Sequence, residues 1–317
     1  MKNAIYSLSL ILLLFTFNFA QKQAETIKIE AQADKGFAYP YYLYIPASMR
    51  EETAKSKLQT LLVIPNNTGT IDDDLAVHEQ NVKQKMFQVG FVFGKLNVPV
   101  LMPVFPRPKA DWKIYTHALD RDSLLTEKAE YKRFDLQLLA MIENARQKFS
   151  QENLQVDEKV LLYGYSAAGM FSNRFAFLHP DKVKAAAVGS PGGWAIAPVE
   201  KFKDKTLRYP LGTADLQTVA GKNFDLKPLQ SVSFFIFLGD KDDNDSLVFS
   251  DGYEEEDKNL VFELLGKTPI ERWEISRKFY EEAKLKAEFK LYPNVAHKVT
   301  PEMLTDVLAF LSKFTDK

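Results

Sequence analysis

The chain contains no cysteine among its 317 residues. Disulfide bonds, thiolate zinc sites and a cysteine nucleophile are therefore excluded. An excess of charge of one sign is also lacking, because 41 Lys and Arg residues oppose 42 Asp and Glu residues. The net charge of −1 gives no electrostatic reason to expect nucleic acid or an anionic membrane surface as a partner. Apolar residues make up 46% of the chain, which is enough for the core of one large domain.

The first twenty residues have the pattern of a secretory signal peptide. A short basic start precedes an almost wholly apolar run from Ile5 to Phe19. Such a run of about 15 residues is short for a bilayer span, which needs about 20, but it suits a signal-peptide core. Asn18 departs from the pattern, because a small residue is usual at that distance from the cleavage point. We predict cleavage after Ala20 and a secreted or periplasmic mature protein; a retained anchor and a buried N-terminal helix are the alternatives.

Strand patterns alternate with helix patterns along the rest of the chain. Strands are predicted at 26–30, 39–45, 60–64, 98–104, 160–163, 185–188, 233–238 and 289–292. Helices are predicted at 75–89, at 133–149, at 167–178, from 268 onwards and from 300 to about 314. This alternation predicts a single α/β domain over 21–317, with a mostly parallel central sheet and helices on both faces. Two stretches break the alternation, and we interpret them as cap-like insertions near 191–232 and 243–267.

The central motif is Gly-Tyr-Ser-Ala-Ala-Gly at 164–169, between a predicted strand and a predicted helix. A serine at such a junction lies on a sharp turn, which exposes its hydroxyl above the sheet. Small residues flank Ser166 because the strand and the helix approach closely there, and Ala168 replaces the second glycine of the G-x-S-x-G pattern. The helix N-terminus favours negative charge beside the serine. A Gly-Ser turn in an ordinary α/β protein is the alternative, and the strand-to-helix context favours a nucleophile.

Four histidines are available as a general base for this serine. His78 lies in a predicted helix and His179 at the end of another, which favours structural roles for both. His297 follows the last predicted strand and precedes the last helix. A loop at that end of a strand reaches the edge of the sheet where ligand crevices form. Its place in the chain order Ser, acid, His therefore predicts that His297 is the base.

The acid is expected after the preceding strand, in the segment 239–245, which contains four aspartates. A buried carboxylate there would hold the imidazole in the correct tautomer. We predict that it is Asp242, three residues after the glycine. The alternatives left open are Asp240, Asp243 and Asp245. The same segment partly matches an EF-hand loop, but it has an aspartate where the sharp turn requires glycine, and a strand precedes it. We therefore predict no metal site and no cofactor.

On these residues the chain resembles the α/β-hydrolase superfamily, and within it the secreted bacterial esterase-like and depolymerase-like members. The resemblance rests on the segments 65–69, 103–108, 115–122, 164–169 and 190–194. It implies the α/β-hydrolase fold, and it implies a catalytic triad of Ser166, His297 and Asp242 that works through an acyl-enzyme intermediate.

The resemblance also implies an oxyanion hole. One donor would be the backbone N–H of Ala167, and the second would come from the loop after the third strand. The chain departs from the common His-Gly-Gly pattern in that loop, where Asn66 and Asn67 stand. Either asparagine would donate through its backbone or through its side-chain amide.

Five residues are predicted to contact the substrate. The loop at 115–122 leaves the C-terminal side of a strand and should reach the rim of the site; the predicted contacts are Tyr115, His117, Arg121, Tyr165 and Trp194. Arg121 would pair with a substrate carboxylate, or it would instead form a structural network with Asp120 or Asp122. Trp194 would line the pocket, or it would cap the core beneath the first insertion.

The sequence therefore predicts an exported serine hydrolase that cleaves carboxylic esters, with a small-molecule or polymer-derived ester as its substrate. A serine peptidase or amidase on the same triad is one alternative. A non-catalytic binding protein that kept the fold is another, and the intact order of serine, acid and histidine favours an enzyme over it. We predict no nucleic-acid partner and no stable membrane insertion after the leader is removed.

Overall fold

The computed structural model of the protein describes residues 23–66, 70–249 and 251–315. The predicted signal peptide lies outside the described residues. Within them, eight strands form the central sheet. Their bounds are β1 (Glu25–Ile29), β2 (Tyr41–Ile45), β3 (Leu62–Val63), β4 (Val100–Pro103), β5 (Val160–Tyr165), β6 (Val183–Gly189), β7 (Ser233–Gly239) and β8 (Lys286–Tyr292).

The strands of the central sheet are arranged in the order β1-β2-β4-β3-β5-β6-β7-β8. Strand β2 is antiparallel to both of its neighbours, and the pairs from β4 to β8 are parallel. The predicted mostly parallel sheet is confirmed. In such a sheet the carboxyl ends of β3 and β5 to β8 lie at one edge, so the loops that follow these strands meet there.

Nine helices are described in the same ranges. They are α1 (Leu75–Phe93), α2 (Arg121–Leu125), α3 (Phe134–Gln151), α4 (Ala167–Leu178), α5 (Leu216–Ala220), α6 (Leu226–Leu229), α7 (Glu255–Leu264), α8 (Pro269–Glu282) and α9 (Pro301–Leu311). No helix of the described segments is long and apolar enough to span a membrane.

The two faces of the sheet are covered by different helices. One buried cluster contains side chains of α3, α4 and α8, among them Phe134, Phe175 and Tyr280. The other contains side chains of α1 and α9, among them Val89 and Val307. Helices on both faces explain why the inner strands are apolar on both sides, as in the run Val160 to Tyr163.

Side chains that mark helix starts in the sequence form capping hydrogen bonds in the structure. Asp74, the last residue of an aspartate run, accepts a hydrogen bond from the backbone N–H of Ala76 at 2.9 Å. Thr268 accepts one from the backbone N–H of Glu271 at 3.2 Å. Each side chain satisfies an N–H group that the first turn of a helix leaves unpaired.

Side chains from the two predicted insertions form a third buried cluster with the start of α4 and with α8. Trp194 and Leu211 come from the first stretch, Leu247 and Val261 from the second, and Phe279 from α8. The two stretches follow β6 and β7, which are adjacent in the sheet. They therefore pack on each other beside the edge where the loops of the site meet.

Candidate active site

Ser166 lies between β5 and α4 in a backbone conformation that side chains rarely adopt. Its φ is 61° and its ψ is −127°. Its backbone N–H donates to the carbonyl oxygen of Gly189 on the neighbouring strand at 2.9 Å, which holds the turn in place. A Cβ on Gly164 would lie 2.0 Å from the carbonyl oxygen of Ala168, so only glycine allows the strand and the helix to approach this closely. Strain at one residue that the surroundings enforce is typical of functional sites.

The loop after β7 and the loop after β8 are joined by backbone interactions. The Asp240 carboxylate accepts from the backbone N–H of Asn294 at 2.7 Å, and the Lys241 N–H donates to the Val295 carbonyl at 2.9 Å. A Cβ on Gly239 would lie 2.1 Å from that same carbonyl, so the glycine permits the contact. These interactions bring the aspartate-rich segment against the loop that carries His297.

Ser166, His297 and Asp242 are brought together at the carboxyl edge of the sheet. The Nε2 atom of His297 lies 3.1 Å from the Oγ atom of Ser166. Its Nδ1 atom lies 3.0 and 2.9 Å from the two carboxylate oxygens of Asp242. The Asp242 side chain is fully buried, whereas that of His297 is 28% exposed. A hydroxyl, an imidazole and a buried carboxylate in this order can activate the hydroxyl as a nucleophile.

Asp242 is held in its ionised form by its neighbours. Burial raises the pKa of this carboxyl, but hydrogen bonds from His297, from the Ser190 hydroxyl and from the Asn244 backbone bring the pKa below its usual value of 3.8. The Ser190 Oγ donates to Oδ2 at 2.6 Å, and the Asn244 N–H donates to Oδ1 at 3.0 Å. The carboxylate is therefore charged at neutral pH and oriented from two sides.

Ser190 is a residue of the candidate site that the sequence analysis did not single out. It directly follows β6, is buried, and has a φ of 43°. Its hydroxyl also lies 3.2 Å from the Nδ1 atom of His297. Its position at the end of the strand between β5 and β7 is the signal that could have identified it, because side chains at neighbouring strand ends meet at one edge.

The other aspartates of the loop have different partners. Asp240 holds the His297 loop through Asn294, as described above. Asp245 is buried and forms an ion pair with Arg272 at 2.5 Å. Asp243 is exposed. Within the parts of the chain that the structure describes, no group of three or more His, Asp or Glu side chains is placed to hold a metal ion.

Of the predicted oxyanion donors, the backbone N–H of Ala167 has no acceptor within its helix, whereas the side chain of Asn66 is bonded inside the protein. Ala167 is the first residue of α4, where the helix itself offers no acceptor for the backbone N–H. The Asn66 side chain is buried and is bound to the chain at residue 105: its Nδ2 donates to the Phe105 carbonyl at 2.9 Å, and its Oδ1 accepts from the Phe105 N–H at 3.2 Å. The Nδ2 atom also lies 3.0 Å from His117 Nε2, so this buried side-chain amide is engaged within the fold and is not placed as an oxyanion donor. Asn67 lies outside the described residues.

His117 is not on the rim of the site, in contrast to the prediction. Its side chain is buried, and its Nε2 donates to the Phe105 carbonyl at 2.8 Å. Burial lowers the pKa of this imidazole to about 3, so the ring is neutral. Together with Asn66, the ring fastens the start of the loop after β3 to the segment after β4.

Arg121 and Trp194 also have structural partners instead of a place in a substrate pocket. The Arg121 guanidinium pairs with Asp215 at 2.6 Å and donates to the Tyr209 carbonyl at 3.1 Å. The predicted alternative partners, Asp120 and Asp122, are therefore not the ones used. The Trp194 indole is buried and donates to the Leu211 carbonyl at 2.9 Å, so this residue caps the core beneath the insertion.

The two tyrosines predicted to contact the substrate have different neighbours. The Tyr115 ring is covered by the Arg107 guanidinium, which lies 3.9 Å from the ring centre. The Tyr165 ring lies 5.0 Å from the His297 ring, and its hydroxyl is 3.5 Å from Asp242 Oδ2. Tyr165 is thus the one of this pair that contacts the triad.

Comparisons with known proteins agree with this arrangement at the level of the fold. No protein-family model matches the chain, and no curated protein matches it. Among solved structures, poly(aspartic acid) hydrolase-1 from Sphingomonas sp. KT-1 is similar, with a TM-score of 0.55 and 17% identity over 92% of this chain and 98% of that one. The chain has the α/β-hydrolase fold.

Two further solved structures share this fold. A poly(3-hydroxybutyrate) depolymerase from Bordetella parapertussis has a TM-score of 0.51 and 14% identity, over 92% of this chain and 89% of that one. A thermostable esterase has a TM-score of 0.50 and 12% identity, over 94% of this chain and 64% of that one. The expectation that the chain has the α/β-hydrolase fold is confirmed.

Proposed function

We propose that the protein is an exported serine hydrolase that cleaves carboxylic esters through an acyl-enzyme intermediate on Ser166. The observation that carries this proposal is the contact of 3.1 Å between Ser166 Oγ and His297 Nε2. The buried Asp242 on the other side of the same ring supports it. The three solved structures named above are described as hydrolase, depolymerase and esterase, which is consistent with this reaction class.

In the first half-reaction, Ser166 Oγ attacks the ester carbonyl carbon while His297 Nε2 takes the hydroxyl proton. The carbonyl oxygen becomes negative and faces the backbone N–H of Ala167 at the start of α4, where the helix dipole also favours negative charge. The same proton is then delivered to the alkoxide oxygen, which leaves as the alcohol. The acyl group remains on Ser166.

In the second half-reaction, water takes the place of the alcohol. His297 removes a proton from it, the resulting hydroxide attacks the acyl carbon, and the proton returns to Ser166 Oγ as the carboxylic acid leaves. Asp242 stays ionised throughout and stabilises the imidazolium that forms in each half-reaction. Its burial and its hydrogen bond from Ser190 suit that role.

An amide is the second candidate for the bond that is cleaved. The same triad would serve, and one solved structure of the same fold is a poly(aspartic acid) hydrolase, whose named substrate is a polyamide. Matched p-nitrophenyl ester and p-nitroanilide substrates with one acyl group distinguish the candidates. We expect the ester to be turned over faster by a factor of at least one hundred.

Export is the remaining part of the proposal. It is supported by the apolar run from Ile5 to Phe19 behind a basic start. Expression in a host with a secretion pathway, followed by N-terminal sequencing of the material outside the cytoplasm, should give a chain that begins at or near Gln21. Recovery of a chain that still begins at Met1 would contradict cleavage.

The nucleophile is tested by Ser166→Ala. We expect a loss of about a millionfold in kcat on a p-nitrophenyl ester, as when the nucleophile of other serine hydrolases is removed. The matched control is Ser172→Ala, which removes a buried hydroxyl from the same helix and should leave kcat within about threefold. Substantial activity of pure Ser166→Ala protein would overturn the proposed mechanism.

Two reagents give an independent test. A fluorophosphonate should label Ser166 in the intact protein and abolish turnover, because it reacts with activated serines. EDTA should leave turnover unchanged, because no step of the proposed reaction uses a metal. The opposite pattern would assign the reaction to a metal site and would remove Ser166 from the mechanism.

A further inference from the structure

A fully buried arginine lies at the start of α8. The side chain of Arg272 is 1% exposed. Its Nε atom donates to the Gly193 carbonyl at 2.9 Å, and its Nη2 atom lies 2.5 Å from Asp245 Oδ2. Its Nη1 atom donates to the Gly266 carbonyl at 3.1 Å. Each nitrogen of the guanidinium therefore has an acceptor, and the acceptors belong to three different loops.

Two of these loops carry the groups that bind the His297 ring on its Nδ1 side. In the loop after β6, Gly193 comes three residues after Ser190. In the loop after β7, Asp245 comes three residues after Asp242. Three residues of chain span at most about 10 Å, so a shift at the arginine is passed on over a short length of backbone.

The two loops contact each other in three places. Nearest to the sheet, the Ser190 hydroxyl donates to Asp242 Oδ2 at 2.6 Å. Further out, the backbone N–H of Ser246 donates to the Gly192 carbonyl at 3.3 Å. The third contact is the arginine bridge, by which we mean the bonds of Arg272 to both loops. It contains an ion pair, in which donor and acceptor are both charged, so we expect it to be the strongest of the three.

The arginine also compensates a second buried carboxylate in the loop after β7. Asp242 and Asp245 are both buried. Two buried carboxylates so close in the chain repel each other, and each then favours protonation of the other. Arg272 pairs with Asp245, whereas the ion-pair partner of Asp242 among the described residues is His297. The loop therefore offers one uncompensated carboxylate to the imidazole and has its other one neutralised.

We infer that Arg272 is a positioning residue of the proposed triad. The arginine bridge keeps the two loops in register, and the Asp242 carboxylate therefore stays against Nδ1 of His297. The hydrogen bonds of the arginine go to neither the serine nor the imidazole of the triad, so it acts through Asp242. This inference rests on the proposed function, because it takes Asp242 as the acid of the triad.

The first test is Arg272→Met, which removes the arginine bridge. We expect kcat on a p-nitrophenyl ester to fall by about a hundredfold, because a small displacement within a catalytic arrangement costs about that much. KM should stay within about threefold, since no substrate contact is removed. The rise of kcat/KM with pH should move to lower pH, because a base that loses its carboxylate partner is harder to protonate. Labelling of Ser166 by a fluorophosphonate should slow in proportion to kcat.

The matched control is Arg208→Met, which breaks another ion pair to a buried aspartate. Arg208 Nε lies 2.7 Å from Asp257 Oδ1, and the Asp257 side chain is 2% exposed. The Arg208 side chain pairs with α7 and not with the loop after β7. We expect the free energy of unfolding to fall in both variants and kcat to fall only in Arg272→Met. An equal loss of kcat in the two would mean a general loosening of the fold and would overturn the inference.

Asp245→Asn keeps the inference testable if Arg272→Met does not fold, because the amide is neutral and has nearly the same shape. We expect this variant to lower kcat by about tenfold, the difference between a charged and a neutral hydrogen bond. Where both variants fold, the double variant should lose no more than Arg272→Met alone, since both act through one contact. An unchanged kcat in Asp245→Asn, or losses that multiply in the double variant, would contradict the inference.

A measurement without turnover separates this inference from the proposed function. In protein labelled with nitrogen-15 at histidine, the chemical shifts of the ring nitrogens report the tautomer. His297 should carry its proton on Nδ1, which faces Asp242, and His179 should carry its proton on Nε2, which faces Asp135. Arg272→Met should move His297 towards the other tautomer and leave His179 unchanged, so the second ring is an internal control.

The tautomers and the activity together distinguish the outcomes. An unchanged His297 tautomer in Arg272→Met, alongside normal esterase activity of the intact protein, would overturn this inference and leave the proposed function standing. An equal change at His297 and His179 would also overturn it. The expected change at His297 alone, in a protein that hydrolyses no ester, would support the positioning of Asp242 by Arg272 and remove the proposed reaction.

Discussion

Among the residues that the structure describes, two histidines each lie against a buried aspartate, and the two contacts have the same length. His297 Nδ1 lies 2.9 Å from Asp242 Oδ2, and His179 Nε2 lies 2.9 Å from Asp135 Oδ2. Both carboxylates are fully buried. A contact between an imidazole and a buried carboxylate therefore does not by itself mark a catalytic site.

The two pairs differ in what the second nitrogen of each imidazole ring contacts. The free nitrogen of His297 faces the hydroxyl of Ser166, whereas that of His179 lies 3.4 Å from the ammonium of Lys222. The His297 side chain is 28% exposed and the His179 side chain 6%. A general base must reach both a nucleophile and a substrate, so the first ring meets the requirement and the second does not.

The carboxylates differ in what else binds them. Asp135 receives two hydrogen bonds from the Arg133 guanidinium, at 2.9 and 2.8 Å, so a full positive charge already compensates it. Asp242 receives neutral donors, Ser190 and the Asn244 backbone, which leave its charge to His297. Under the proposed mechanism, Asp242 can stabilise the imidazolium of His297 because no permanent cation competes for its charge, whereas Arg133 competes for that of Asp135.

The largest difference between the pairs should appear when each histidine is removed. His297→Ala should lower kcat by about a millionfold, because the base and the nucleophile act as one unit. His179→Ala should leave kcat within about threefold and lower the free energy of unfolding by about 1–3 kcal/mol, since it breaks a buried hydrogen bond. Steady-state kinetics and urea unfolding measure the two effects. Similar kinetic losses in both variants would mean that the second pair is not merely structural.

The same substitution of aspartate by asparagine should have opposite consequences in the two pairs. Asp242→Asn should lower kcat by about ten-thousandfold, because a neutral amide stabilises the wrong imidazole tautomer. Asp135→Asn should change kcat little and lower the free energy of unfolding by about 3 kcal/mol, because Arg133 loses its buried counter-charge. As a control inside the catalytic loop, Asp240→Asn should reduce kcat far less than Asp242→Asn does.

The stability effect of Asp135 should depend on pH. Burial raises the pKa of this carboxyl, but hydrogen bonds from Arg133 and His179 lower it well below the usual 3.8 in the folded protein. A lowered pKa contributes stability above the unfolded-state value, and this contribution is lost as the pH falls below about 4. The intact protein should therefore lose its advantage over Asp135→Asn in acid. A difference in stability that stays constant from pH 7 to pH 3 would contradict this role.

Much of the fold follows from periodicity, capping signals and the Gly-Tyr-Ser-Ala-Ala-Gly motif at 164–169. The helix of Ala167–Leu178 has its predicted bounds, and β7 ends one residue from its predicted end. The last helix ends at Leu311, before the predicted 314. Local signals fix these elements because each depends on residues that are close in the chain. The three residues of the proposed triad were predicted to lie at one edge from strand ends and chain order, and the structure brings them into contact there.

The substrate contacts could not be predicted in the same way. Arg121, His117 and Trp194 all lie in segments that follow strands, yet each is turned inwards by a partner far away in the chain: Asp215, Phe105 and Leu211, respectively. Nothing local in the sequence identifies such partners. A cavity lined by Gly164, Tyr165 and side chains of α1 depends on how α1 packs against the sheet, which is again a property of distant residues.

The smallest expected effect concerns the hydrogen bond that Ser190 donates to Asp242, the proposed acid of the triad. Ser190→Ala should lower kcat/KM by about tenfold to a hundredfold, because it removes a hydrogen bond of 2.6 Å to a charged group. We expect the loss to fall on kcat, since the Ser190 hydroxyl binds the carboxylate of Asp242. The rate at which a fluorophosphonate labels Ser166 should fall in proportion, because that rate also depends on activation of the hydroxyl.

Tyr165→Phe is the matched control for Ser190, because it removes the other hydroxyl near the same carboxylate oxygen. That hydroxyl also bonds the Ser190 side chain, but it lies 3.5 Å from Asp242 Oδ2, at the limit of a hydrogen bond, so we expect its loss to change kcat by no more than about threefold. A merely structural role of Ser190 would lower the unfolding temperature and leave kcat and the labelling rate of the folded protein unchanged. A larger kinetic effect of Tyr165→Phe would mean that the tyrosine, and not the serine, orients Asp242. The hydrogen bond from Ser190 would then not be what distinguishes the His297–Asp242 pair from the His179–Asp135 pair.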